Sequence, residues 1–244
     1  MLKHYIKSGL LSARGAYGYF FLKHVDFAEL VEKRSRAKYI SDVFEICDGD
    51  IIAMPKQEHT DKVLVLSRKD AAMFSSDMPA DSIVTDIPGA VIGVKTADCV
   101  PILLYDEKNK ISGAAHAGWR GAFSGILQNT VLAMESLGAN VSSIAACLGP
   151  SIRQYSYEVS YDLHDRFIKQ SKSNSTFFKN NGEKYLFDLP GYCRSVLSEM
   201  GVEIEDLCID TYTNSDILYS YRKINRSNTQ ARSGFGQLSL IRFA

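Results

Sequence analysis

Two segments, Lys95-Thr-Ala-Asp-Cys99 and His116-Ala-Gly-Trp-Arg-Gly121, bracket an apolar run, a polar break and a second apolar run. The runs are Val100-Pro-Ile-Leu-Leu-Tyr105 and Ile111-Ser-Gly-Ala-Ala115, and the break is Asp106-Glu-Lys-Asn-Lys110. That pattern reads as a β-hairpin. Folded about Glu107 and Lys108, it sets Cys99 directly opposite His116. Directly opposed residues share a sheet face, with Cβ atoms ~5 Å apart. A thiol and an imidazole held that close point either to a metal site or to a Cys–His catalytic pair. A slip of one residue would put them on opposite faces, so the reading depends on register.

The rest of the chain predicts more strands than helices. Strands are expected at Tyr17–Leu22, Val63–Leu66, Ser82–Thr85, Val91–Val94, Ile144–Leu148, Leu207–Thr211, Leu218–Tyr221 and Gln237–Ile241, with a turn at Pro88-Gly89. Phe123, Ile126, Leu127, Thr130, Val131, Met134 and Leu137 form the i, i+3, i+4, i+7 ladder of a helix, and Gly138 is placed to end it. Tyr161–Gln170 and Gly191–Met200 also read as helices, as does the charged stretch Phe27–Ile46. Adjacent strands look hairpin-linked. The expected class is α+β: a mixed, largely antiparallel sheet covered by helices, as one domain over residues 1–244.

The 28 basic and 28 acidic residues cancel, so no overall field favours nucleic acid or an anionic membrane. No stretch approaches the ~20 apolar residues of a membrane span. Cys47, Cys99, Cys147, Cys193 and Cys208 are scattered, odd in number and lack a CxxC pair. This argues against a disulfide framework and a zinc ribbon, and for a reducing, cytoplasmic setting. Cys193 and Cys208 sit in apolar patterns and read as core. Gly118 and Gly121 let a strand turn tightly into a helix. Equally, that helix start together with Arg120 could hold an anion.

Thr96-Ala-Asp-Cys-Val-Pro101 with Gly113-Ala-Ala-His-Ala-Gly-Trp-Arg-Gly121 resembles the signature of the YfiH-like family, also called the laccase-domain or multicopper polyphenol oxidase family. Gln57-Glu-His-Thr-Asp-Lys-Val63, Leu148-Gly-Pro150, Tyr157-Glu-Val159, Asp210-Thr-Tyr-Thr213, Tyr219-Ser-Tyr-Arg222 and Gln237-Leu-Ser239 resemble its other blocks. The resemblance implies a purine nucleoside phosphorylase with added adenosine deaminase activity, acting on purine nucleosides and phosphate. It also implies a metal held by His59, Cys99 and His116, with zinc as the suggested ion. Three places depart from the pattern. Phe20-Phe-Leu-Lys-His24 runs on without the family's glycine-rich loop, Ser151–Ser156 carries no cysteine, and Phe235-Gly236 replaces Gly-Arg.

Two imidazoles and a thiolate leave zinc one open position for water or a phosphate oxygen. Arg120 is the candidate phosphate holder, with Tyr221 and Arg222 as further pocket residues and Asp98 as an outer-shell support for Cys99. The alternatives are a copper-dependent polyphenol oxidase, a metal-free hydrolase with Cys99 as nucleophile and His116 as base, and a non-enzymatic purine-binding relic. A trinuclear copper cluster needs many imidazoles, and the chain has five histidines. A monomer is expected.

Overall fold

Strand β7 (Val100–Asp106) is buried along its whole length, and its hairpin partner β8 (Ile111–Ala117) is equally covered. The structure is a computed structural model that describes residues 4–23, 44, 51–69, 74, 75, 77–227 and 235–244. The expected helix over Phe27–Ile46 lies almost entirely outside these residues. The remaining strands are β1 (Tyr5–Lys7), β2 (Ala16–Phe21), β3 (Ile52–Ala53), β4 (Val63–Leu66), β5 (Ser82–Thr85), β6 (Val91–Thr96), β9 (Ile144–Leu148), β10 (Glu158–Val159), β11 (Phe178–Asn181), β12 (Lys184–Phe187), β13 (Glu203–Asp206) and β14 (Gln237–Phe243).

They form a six-stranded sheet, β13-β9-β7-β8-β5-β4, a five-stranded sheet, β1-β2-β14-β6-β3, and a small sheet, β10-β12-β11. Pairing is antiparallel except at β3–β6, β4–β5 and β9–β13. The fold is α+β, as the pattern predicts.

Alternation along β7 divides the interior. Leu103 and Tyr105 join Phe20, Ile92, Val94 and Ile241 between the two large sheets. Ile102 and Leu104 point the other way, into a core shared with Ile126, Leu127, Val131 and Met134. Those four belong to helix α3 (Ile126–Ser136), which follows α1 (Gly9–Ala13) and α2 (Trp119–Ser124). Phe167 of α4 (Tyr161–Gln170) and Cys193 and Leu197 of α5 (Leu189–Glu199) complete this helix-side core.

Several expectations need correction. The hairpin pairs Pro101 with His116 and Val100 with Ala117, two residues away from the expected register. Asp106 is the reason. Its Oδ1 accepts from the backbone of Lys108 (2.9 Å) and Asn109 (3.2 Å), and Lys110 turns with φ 57°, which centres the loop on Lys108-Asn109. A two-residue shift preserves the face, so Cys99 and His116 stay on one side as diagonal neighbours.

The single predicted helix over 123–137 is two helices, α2 and α3, because Gly125 takes φ 100° between them. Gly138 does end α3, with φ 102° and the amide of Ala139 returning to Met134 O at 3.0 Å. The stretch Leu207–Thr211 is not a strand. Cys208 turns with φ 55° and is exposed, so it is not core. Leu218–Tyr221 is not a strand either. Ser220 caps helix α6 (Tyr221–Arg226) by accepting from the amide of Lys223. The hairpin-linked reading of neighbouring strands holds for few of them, since β2 pairs with β14 and β5 with β8.

Asp106 also ties the hairpin to the turn before β9, accepting from Asn140 N at 2.8 Å and Ser143 Oγ at 2.8 Å. Burial pushes its carboxyl up, but the hydrogen bonds from Asn109, Asn140 and Ser143 outweigh this and hold it below the ordinary range. Asp106→Ala is expected to cost about 2–4 kcal/mol in urea denaturation. A depressed folded-state value stabilises above the unfolded value of about 3.9, so the gap to wild type should shrink as pH falls below about 4.

Candidate metal centre and adjoining cavity

His59 sits where the chain crosses from β3 of the five-stranded sheet to β4 of the six-stranded one. The crossing is clamped to its surroundings. The Gln57 side chain donates to Lys95 O and accepts from Lys95 N on β6, both at 2.7 Å. Asn129 of α3 donates to Asp61 O at 2.9 Å. His59 itself takes φ 60°, the left-handed region that non-glycine residues enter rarely and histidine more readily than most.

His116 lies on β8 and is 3% exposed. Its Nδ1 donates to Asp81 Oδ1 at 2.8 Å, which leaves Nε2 as the metal-binding atom. The His59 and His116 rings meet edge to face with centroids 4.7 Å apart. Cys99 Sγ is 4.0 Å from His59 Nε2. One donor atom from each of His59, Cys99 and His116 lies within 4.8 Å of the other two, the one such group of three among the described residues. The structure therefore brings together all three residues of the expected ligand set.

Burial pushes the Cys99 thiol up, but the charge of His116 and hydrogen bonds from both imidazoles outweigh it and bring it down to about 6. Burial likewise disfavours a charged His116 ring, yet Cys99 and Asp81 raise it to about 9. Each of the two groups thus favours the charged form of the other. Two nitrogen donors and a thiolate suit zinc and also copper. The donor set and the carboxylate behind His116 fit a bound metal ion.

Asp81 was not singled out from the sequence. Its signal was an acid directly before the buried strand Ser82–Thr85. The sequence marks Gly118 as a turn residue or as part of an anion-holding helix start, and not as a neighbour of the cluster. Its φ of −74° is ordinary, and it matters through space instead. A Cβ there would lie 3.0 Å from His59 Cδ2 and 3.1 Å from Cys99 Sγ. Gly121 performs the same service one turn later, where a Cβ would meet Thr60 O at 2.8 Å.

A cavity of about 430 Å³ is lined by Trp119, Arg120, Tyr157, Arg166 and Arg222 among others. It adjoins the centre: Trp119 follows Gly118, and burial and the Cys99 charge push the Tyr157 phenol up. Arg120 lies over the Trp119 ring at 4.5 Å, on a helix of six residues. Arg222 lies over Tyr157 at 5.3 Å and donates to Glu158 O at 2.8 Å. Tyr221 is 54% exposed and is not among the cavity residues. Asp98 faces away from the imidazoles, accepting from Thr211 Oγ1 and Arg222 N, both at 2.6 Å. It therefore anchors the start of α6, the wall that carries Arg222.

Fold and centre together define an α+β protein of two large sheets and one small one, with a His–Cys–His cluster at the open end of the β7–β8 hairpin. A family model described as multi-copper polyphenol oxidoreductase laccase matches residues 22–237, and the chain belongs to this family, whose YfiH-like signature it carries. The purine nucleoside phosphorylase YfiH of Escherichia coli (strain K12) is 37% identical over 147 residues, 59% of this chain and 58% of that protein. An adenosine deaminase from an unknown prokaryotic organism is 37% identical over 163 residues, 64% of this chain and 62% of that one. The chain thus spans about three fifths of the length of these curated relatives. The crystal structure of a Neisseria meningitidis protein superposes with a TM-score of 0.79 at 27% identity, covering 99% of both chains.

Gly118→Ala places a methyl group between His59 and Cys99. Zinc affinity, measured by chelator competition, is expected to fall about tenfold or more, while the far-ultraviolet circular dichroism spectrum stays that of wild type.

Proposed function

We propose that this chain is a zinc-dependent purine nucleoside phosphorylase, acting on adenosine, inosine, guanosine or methylthioadenosine, with adenosine deaminase as a side activity. The observation that carries the reading is the His59–Cys99–His116 cluster, together with an arginine-lined cavity whose wall begins at Trp119, the residue after Gly118. The relatives named as a purine nucleoside phosphorylase and an adenosine deaminase support it.

His59, Cys99 and His116 would hold the ion, which supplies a Lewis acid for an oxygen at the reacting centre. Arg120 and Arg222 are the candidates for gripping phosphate, since guanidinium forks match its oxygens. Trp119 and Tyr157 offer aromatic surface to the purine. In phosphorolysis a phosphate oxygen bonds to ribose C1′ while the bond to the purine nitrogen breaks. The electron pair leaves with the base, which takes up a proton. The protein's share is to align these partners and to compensate the charge on phosphate and base. For deamination, water replaces the C6 amino group and ammonia leaves.

Copper chemistry of the laccase kind is less well served. Among the described residues one cluster can hold a metal. His164, on α4, is committed elsewhere: it stacks on Tyr185 at 3.9 Å. A metal-free Cys–His hydrolase would use Cys99 and His116 but leaves no task for His59, whose Nε2 lies near the same sulfur. No described helix is long and apolar enough to cross a membrane.

The test is phosphate-dependent release of hypoxanthine from inosine, run alongside metal analysis. Chelation should abolish release and added zinc should restore it. His59→Ala and Cys99→Ala should each lower kcat/KM by about 100-fold or more. Full activity in either variant would remove the zinc role. Copper-dependent phenol oxidation without nucleoside turnover would favour the oxidase instead.

A further inference from the structure

We infer that Asp81 is the positioning residue that builds the metal centre from both sides, fixing the His116 ring through Nδ1 and holding the Glu58–Thr60 backbone in the bend that presents His59. The inference rests on the metal-binding reading above and names the residue that makes it possible.

The carboxylate is wholly buried. Three consecutive backbone amides converge on it, from Glu58 (3.2 Å), His59 (2.9 Å) and Thr60 (2.6 Å). The Thr60 hydroxyl adds a fourth donor at 2.8 Å and His116 Nδ1 a fifth at 2.8 Å. Successive amides wrapped around an anion form a nest, and such a concavity needs negative charge at its focus. The left-handed φ of His59 is the backbone turn that makes these amides converge. The Asp81 backbone is anchored too: its carbonyl accepts from His116 N at 2.7 Å, and its amide donates to Lys62 O at 3.0 Å. One residue therefore fixes the His116 ring directly and the backbone that carries the His59 ring, and neither that ring nor that backbone could shift without breaking a bond to it.

An asparagine at this position could still accept from His116 Nδ1. Its amide group, however, would turn N–H donors toward a nest built of N–H donors. Glutamate would carry the charge one methylene too far. Asp106 is a natural control, a buried carboxylate in the same sheet system with five donors and no imidazole among them.

The experiment titrates the full chain with zinc alone against a competing chelator. Asp81→Asn is expected to weaken zinc binding by about 10–100-fold. Asp81→Glu should not rescue it. Asp106→Asn should lose stability while keeping wild-type zinc affinity. In parallel, ¹⁵N spectra of the wild-type chain should show a proton on His116 Nδ1 both with and without zinc, and slow exchange of the His59 and Thr60 amides. Unchanged zinc affinity in Asp81→Asn, equal losses in Asp106→Asn, or a His116 Nδ1 without a proton would each overturn the assignment. If Asp81→Asn does not fold, the wild-type spectra decide. If the wild-type chain binds no zinc, the metal reading fails, while the same spectra still judge the role of Asp81.

Discussion

Burial of β7 on both faces is the constraint from which the rest follows. A strand covered on one side by a second sheet and on the other by helices has no side chain free to turn to water, so each position must satisfy one core or the other. Leu103 and Tyr105 meet the five-stranded sheet, and Ile102 and Leu104 meet α3. With the middle of the hairpin fixed this firmly, its open end is fixed as well. That end carries Cys99 and His116. The imidazole of His116 is thereby placed on a strand buried along its whole length, and the thiol of Cys99 on the bend immediately before one.

The third member of the cluster, His59, arrives by a different route, on the connection between the two large sheets. Connections are ordinarily the adaptable part of a fold. Here the segment is held to Lys95 of β6 through the Gln57 side chain, to Asp81 through its backbone amides and to Asn129 of α3 through Asp61. Glycines at 118 and 121 then let the following helix close against it. The cavity wall is made in the same economical way, since Asp98 secures the start of α6 and thus the arginine it carries.

Local pattern revealed much of the framework. Short apolar runs located eight of the fourteen described strands, and the Phe123–Leu137 ladder located the helix, missing only the left-handed break at Gly125. Pattern could not fix the hairpin register, because the turn is centred by the Asp106 side chain and not by the midpoint of the polar break. It could not pair β2 with β14 or β5 with β8, since those contacts join distant parts of the chain. The Cys99–His116 proximity was readable from spacing, but the place of His59 beside them came from family resemblance. Asp81 stayed hidden because an acid before a strand is commonplace, and its importance lies in five donors drawn from two separate segments. Tyr221 lies outside that cavity lining for a related reason: in a helix it turns outward while its neighbour Arg222 reaches the cavity.

The order of strands in the five-stranded sheet has a consequence for biosynthesis. Its central member, between β2 and β6, is β14, residues 237–243. During translation the early strands of that sheet emerge without their middle partner. Phe20, Ile92 and Val94, which back the hairpin, stay without the cover of Ile241 and Phe243 until those residues leave the ribosome. The nascent chain must shield that unfinished apolar surface, and the hairpin's Leu103 and Tyr105 gain their full cover only when β14 slots in.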